Sequence, residues 1–401
     1  MRKKVIFFVG IAIFIFLIFW WGKQFYKKPL KKAIPVLEEV EGKYLPIFTD
    51  DLDGKGLKNA IRVQINKLRK TDLEQKVKFG DMMIPRKRIL RTLEEFLRLL
   101  EEKGTRSLNS EIPKRFVIFQ AVGVNQKKEV IFTGYYQPVL EARTHRDKEF
   151  KYPIYRLPPD LQVIDLGEIN PKLKGEKIAL RIEGNRIKPY FDRKAIDQSL
   201  VLSGKGLELL FLKDFLDCYL LHVQGSGVLR VENGKEIKVR YAGSNCFPYV
   251  SLRELLVDRG LLKPEQTSFS AIRAYFHKHP EKMKEYLLQN PRYIFFEKYT
   301  GEVVGSEGVE LTPERSIATD KSIFPGGGLA LIITRKPLID SQGKVIRWEP
   351  MVRFMVDQDA GAAIKGPGRV DIFWGTGKRA GEIAGSIKEK GKLYYLLIKG
   401  D

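Results

Sequence analysis

The apolar residues of this chain follow three different periods. Residues 5 to 22, "VIFFVGIAIFIFLIFWWG", form an uncharged run at the short end of what a helix needs to span a bilayer of about 30 Å. A basic start, "MRKK", precedes it, and Trp20 and Trp21 stand where an interfacial belt would be. Bulky, charged "GKQFYKK" follows in place of a small-residue cleavage site, so the run is expected to be an uncleaved signal anchor over 1–22, with a basic linker over 23–33. Helical spacing follows in "ILRTLEEFLRLLEEKG", where Leu93, Phe96, Leu97 and Leu100 share one face and Gly104 ends the helix. From about Arg115 the period falls to two: "RFVIFQAVG" and "EVIFTGYY" around "NQKK" predict a hairpin. "KIALRIEGNRIKPYF" and "GVLRVENGKEIKVRYAG" predict further pairs turned at glycine and asparagine. Helices return at Ser251, where Ser251 and Glu254 form a capping box, and in "FSAIRAYFHKHPEKMKEYLLQNP", with Pro280 suited to a first turn. "GLALIIT", "RWEPMVRFMVDQD", "RVDIFWG" and "KLYYLLIKG" predict closing strands, interrupted by a helix in "RAGEIAGSIKEKG". This order suggests a middle domain inserted into one whose core the C-terminal strands complete.

Charge narrows the partners. A formal net charge of +22 over 401 residues favours anionic surfaces: nucleic acid, acidic lipid or a carboxylate-bearing cell wall. The lysines are dispersed and no recognition motif for nucleic acid occurs, so wall and lipid fit better. Cys218 and Cys246 either pair in an oxidising compartment or stay single in the core. His145, His222, His277 and His279 lack metal-ligand spacing. In "WGTGKRAG", Ile372 stands where a phosphate loop needs glycine and Arg379 where it needs Ser or Thr after Lys378. Ser226 in "GSG" lacks the context of a nucleophile elbow.

Three stretches offer chemistry. "QDAGAAIKGPGRVDIFWGTGKRAG" holds Asp359 and Asp371, the latter between Val370 and Ile372. A carboxyl in an apolar strand is either buried with a raised pKa, suited to proton donation, or turned outward on an edge strand and solvated. "LLHVQGSGVLRV" presents Gln224, Gly225 and Ser226 after an apolar stretch expected to be a strand, either as a binding turn or as a plain hairpin turn. "FTGYYQP" sets Thr133, Gly134, Tyr135 and Tyr136 together, as sugar-binding rings or as core.

Taken in order, "FTGYYQP", "HVQGSGVLRV" leading to "YAGSNCFPYVSL", "GVELTPERSIATDKSIFPGGGLALI" and "QDAGAAIKGPGRVDIFWGTGKRAGEIAG" resemble the membrane-bound lytic murein transglycosylase A family. "NPRYIFFE" at 290 to 297 fits between them. The resemblance implies a mainly β, α+β fold: a double-psi β-barrel from residues 34–135 and 246–401, an inserted β domain over 136–245, and a glycan groove between. It implies cleavage of the β-1,4 bond between N-acetylmuramic acid and N-acetylglucosamine of peptidoglycan, with formation of a 1,6-anhydro ring. Asp371 corresponds to the single catalytic aspartate and Asp359 to a second acid lining the site. Thr133, Gly134, Tyr135, Tyr136, Gln224, Gly225, Ser226, Tyr241, Asn245 and Lys365 are then expected to bind glycan. No cofactor or metal is implied, the partners are peptidoglycan strands and the inner membrane rather than nucleic acid, and the expected place is the periplasmic face of the envelope. The alternative is a membrane-tethered protein that binds polysaccharide without cutting it. Two features depart from the family: no lipid-accepting cysteine follows the apolar run, and "NCFPY" replaces "NGHPY", with Phe247 in the histidine's place.

Overall fold

Six strands near the two ends of the globular part pair into a closed ring. The computed structural model describes residues 35–400 apart from Lys174. The expected anchor at 1–22 and linker at 23–33 lie outside these, and no helix among the described residues is long and apolar enough to cross a membrane. The ring strands are β1 (Val130–Gln137), β2 (Ser316–Ala318), β3 (Leu329–Ile339), β4 (Val345–Asp359), β5 (Arg369–Thr376) and β6 (Lys388–Ile398). They are hydrogen-bonded in the order β1-β6-β3-β4-β2-β5 and back to β1. β1 runs parallel to β5 and β2 parallel to β4; the other neighbours are antiparallel. Closure leaves no free edge in the ring, so its register is fixed all round.

The hairpin expected around "NQKK" does not form. Phe116–Ala121 and β1 both pair with β6, the first along Tyr394 to Ile398 and the second along Lys388 to Gly391. The connection bends through left-handed residues Gly123, Gln126 and Lys128, which turns the two strands away from each other. The long β6 then satisfies the backbone of both. The predicted helix is present as Arg86–Glu102, and its Phe96 ring lies 4.9 Å from that of Phe354 on β4, in the core.

Two aspartates tie the start of the globular part to the ring. Asp50 accepts both Arg315 terminal nitrogens, at 2.6 and 2.8 Å, with both side chains fully buried. Asp51 accepts the Arg353 guanidinium in the same two-pronged way, at 2.8 and 2.7 Å.

The chain leaves the ring after Gln137 and re-enters at Ser316. Between these points a second, open sheet of six strands runs in the order Ile294–Tyr299, Glu236–Ser244, Ser226–Arg230, Val139–Arg143, Glu208–Leu212, Tyr152–Tyr155. A division at residue 245 leaves Ile294–Tyr299 with the barrel, but that strand pairs with Glu236–Ser244 instead. The helices between them, Leu252–Asp258, Phe269–Lys278 and Pro280–Leu287, start as predicted: Ser251 caps the first and Pro280 sits at the first turn of the third. "LLHVQ" is a second correction. It ends the helix Phe215–Gln224, started by the Asp214 side chain and stopped by Gly225 at φ 81°. An apolar run buried on nearly every side carries no period that separates helix from strand. Cys218 and Cys246 are both unpaired.

Candidate active site

Asp371 is placed by alternation along β5. Val370 and Ile372 are fully buried in the ring core, so Arg369 and Asp371 turn the other way, into a cleft of about 940 Å³ between ring and inserted sheet. The parallel neighbour β1 sets Thr133 opposite Asp371, and the Thr133 hydroxyl donates to Asp371 Oδ1 at 2.8 Å. Burial pushes the Asp371 carboxyl above the ordinary aspartate range. The Thr133 hydrogen bond and the charges of Arg369 and Arg253 pull it back only in part.

Asp359 ends β4, where a register irregularity against β2 lets the strand turn out. It accepts three hydrogen bonds: from the Ser306 and Ala360 amides, each at 2.8 Å to Oδ1, and from the Tyr135 hydroxyl at 2.9 Å to Oδ2. Burial again raises its pKa, and these three donors and Lys321 oppose the rise. Burial and the Asp359 charge push the Tyr135 hydroxyl far above its usual range, so it remains a donor. The two acids thus differ: Asp359 has three donors arranged for a carboxylate, and Asp371 has one.

A third acid, Asp357, is not in the cleft. It is fully buried two residues before Asp359 and accepts from Thr319 at 2.6 Å, from Tyr395 at 2.7 Å and from Lys321. That cluster ties the end of β4 to β6 and to the segment that follows β2.

Of the residues expected to bind glycan, Thr133, Gly134, Tyr135, Gln224, Gly225, Ser226, Tyr241 and Lys365 line the cleft together with both acids. Two do not. The Tyr136 ring packs beside Phe269 and against the bare α-carbon of Gly381, and its amide donates to Gln224 Oε1 at 3.0 Å. Alternation explains this: Tyr135 and Tyr136 point to opposite faces of β1. Asn245 is buried and bonded to the backbone of Phe191, Pro291 and Tyr293, so it braces the inserted domain. Gly134 also has a structural reason, since a β-carbon there would lie 2.7 Å from Ala384 and 2.8 Å from the Trp374 ring.

The sequence reading missed Arg253 and Arg369, both in the cleft wall beside Asp371. Arg369 stands two positions before Asp371 on a strand, a spacing that puts both on one face, so it was legible in principle. Arg253 reaches Gly385 and lies over the Phe269 ring at 4.6 Å, contacts between elements far apart in sequence.

Known proteins match the chain along most of its globular length. Residues 131–297 match the family model of the MltA specific insert domain and residues 315–397 that of the 3D domain. The chain is 34% identical over 281 residues to the membrane-bound lytic murein transglycosylase A of Escherichia coli K12, covering 69% of this chain and 68% of that one. The Vibrio cholerae protein of the same name is 33% identical over 282 residues, with the same coverages. Among solved structures, a membrane-bound lytic murein transglycosylase from Agrobacterium tumefaciens superimposes with a TM-score of 0.74 at 29% identity, over 90% of this chain and 98% of that one. The E. coli MltA with bound chitohexaose gives 0.67 at 28% identity, over 90% and 93%.

Proposed function

The chain belongs to the membrane-bound lytic murein transglycosylase A family, and we propose that Asp371 alone carries both proton transfers of its reaction. It is a lytic murein transglycosylase, a lyase that cuts the β-1,4 bond between N-acetylmuramic acid and N-acetylglucosamine of peptidoglycan. The observation that carries the assignment is the contrast in donors: one for Asp371, three for Asp359.

Protonated Asp371 gives its proton to the glycosidic oxygen as the C1–O bond breaks, and the bonding electron pair leaves with the O4 of N-acetylglucosamine. The C6 hydroxyl of the muramic acid then attacks C1 and passes its proton to the Asp371 carboxylate. The 1,6-anhydro ring closes and Asp371 is protonated again, with no water consumed. A second carboxylate as base or nucleophile, which an ordinary glycosidase needs, is unnecessary. Asp359, held as an acceptor, stabilises positive charge developing at C1. The raised Asp371 pKa supports the first step near neutral pH. Replacing Asp371 with Asn should cut turnover by about 10²–10⁴-fold and leave glycan binding in place. A variant that keeps most of its turnover overturns the assignment.

We further propose that residues 5–22 anchor the enzyme to the inner membrane and export it to the periplasmic face, on the strength of their apolar run and aromatic edge. N-terminal sequencing of the membrane-fraction protein should return the intact first residues; a start beyond residue 22 contradicts an uncleaved anchor.

A further inference from the structure

We infer that Arg369 and Arg253 form a carboxylate-binding subsite beside Asp371, which grips an acidic substituent on the muramic acid side of the scissile bond. The inference rests on the transglycosylase reading above and names the group on the substrate that the cleft selects.

The fully buried arginines of the described structure all have counter-ions: Arg315 with Asp50, Arg353 with Asp51, and Arg193 with Asp197 at 3.2 Å. Of the arginines that line the cleft, the two that act on Asp371 by charge do not. Arg253 donates to the Gly385 carbonyl at 3.0 Å and lies over Phe269, with no carboxylate in ion-pair range among the described residues. Arg369 makes no side-chain hydrogen bond there, and its Nε is buried without a partner. Both face the cleft, and both act on Asp371 by charge without an ion pair to it. A guanidinium withdrawn from water is costly unless an anion meets it, and its planar fork matches a carboxylate.

In murein, the sugar on the C1 side of the broken bond bears a lactyl ether. Its carboxyl is free on strands stripped of peptide; where a stem is attached, the carboxylate belongs to the stem. Either presents the same chemistry to the pair of arginines. Seating it also has a consequence for the acid. The groups that act on Asp371 are Thr133 on β1, Arg369 on its own strand, Arg253 on the helix Leu252–Asp258 and Asp359 on β4. The two cations favour its ionised form, and a bound carboxylate cancels that field and keeps the proton on Asp371.

The test compares stripped glycan strands with the same strands after conversion of the lactyl carboxyl to its methylamide, and with stem-bearing sacculi carrying or lacking free carboxylates. Wild-type enzyme should cut the acid form of one of these pairs about tenfold better in kcat/KM, mostly through KM. Arg369→Gln should abolish that preference, Arg369→Lys should restore part of it, and the alkaline limb of kcat/KM in Arg369→Gln should move to higher pH. Loss of preference on stripped strands assigns the lactyl carboxylate, and loss on stem-bearing sacculi the stem. The same preference is read in equilibrium binding to the Asp371→Asn protein, so a failure to cut glycan at all, which overturns the enzyme reading, is distinguished from a failure of the subsite. Equal handling of acid and amide by wild type, or a preference unchanged in Arg369→Gln, overturns the proposal.

Discussion

The closed ring and the open inserted sheet each have six strands and each bury charge, but they use it differently. In the ring, buried charges tie distant segments together: Asp50 and Asp51 hold Arg315, just before β2, and Arg353, within the strand β4 that ends on Asp359. Asp357 with Lys321 and Tyr395 does the same under Asp359. In the inserted part the ion pair of the fully buried Arg193 is local, with Asp197 on its own helix, although its other hydrogen bonds reach the carbonyls of Asn290 and Arg292, 97 and 99 residues on, and residues toward the cleft such as Tyr241 stay about half exposed. Both acids therefore stand on the part that ring closure and ion pairs between distant segments fix. A carboxylate that must meet a glycosidic oxygen within a fraction of an ångström needs such support.

The largest expected effect lies in the ring's anchor. Burial pushes the Asp50 carboxyl up, but hydrogen bonds and charge from Arg315 outweigh this and hold it below the usual range. Asp50→Ala leaves Arg315 buried without its counter-ion and should cost about 3–5 kcal/mol in denaturant unfolding. The wild-type contribution is present above the unfolded carboxyl pKa and lost as pH falls through the depressed folded value. An unfolding midpoint unchanged by the substitution would remove the ring's distinction. Asp359→Asn should come next, lowering kcat by about a hundredfold with little change in KM, because it removes an electrostatic partner of the transition state. A loss confined to KM would move Asp359 to the binding side. Thr133→Ala removes the one donor that stabilises the Asp371 carboxylate, so the pKa rises further and the alkaline limb of the pH–rate profile moves to higher pH. An unmoved limb would mean that another group sets it. The smallest effect belongs to the inserted sheet: Tyr241→Ala should raise KM by roughly fivefold, about 1 kcal/mol of ring contact, without altering kcat.

Period and turn chemistry made most elements legible: the helix Arg86–Glu102, the pairs turned at Gly184 and Gly234, and the capped helices from Ser251 onward all appear where the pattern puts them. What failed was either uniformly apolar or non-local. "LLHVQ" has no polar side to reveal its period. The false hairpin at "NQKK" follows from judging two strands by their nearness in sequence, when their shared partner β6 lies more than 250 residues further on. The Asp50–Arg315 and Asp51–Arg353 pairs are invisible for the same reason. At the site, alternation left Asp371 either buried or solvated and the resemblance of the motifs singled it out, but the donors that separate the two acids come from Ser306, Ala360 and Tyr135, and two of these are backbone amides that no residue pattern announces. The motifs supplied the acids; only the fold assigned their neighbours.

Cleavage of glycan by one aspartate without water is read directly from the mass of the sugar ends released from purified sacculi digested in water labelled with oxygen-18. Wild-type protein should release 1,6-anhydromuramic acid ends that carry no label, and Asp371→Asn should release about 10²–10⁴-fold fewer of them in the same time. Reducing N-acetylmuramic acid ends formed by the wild-type protein in place of the anhydro ends would overturn the mechanism, since their formation requires water as the nucleophile.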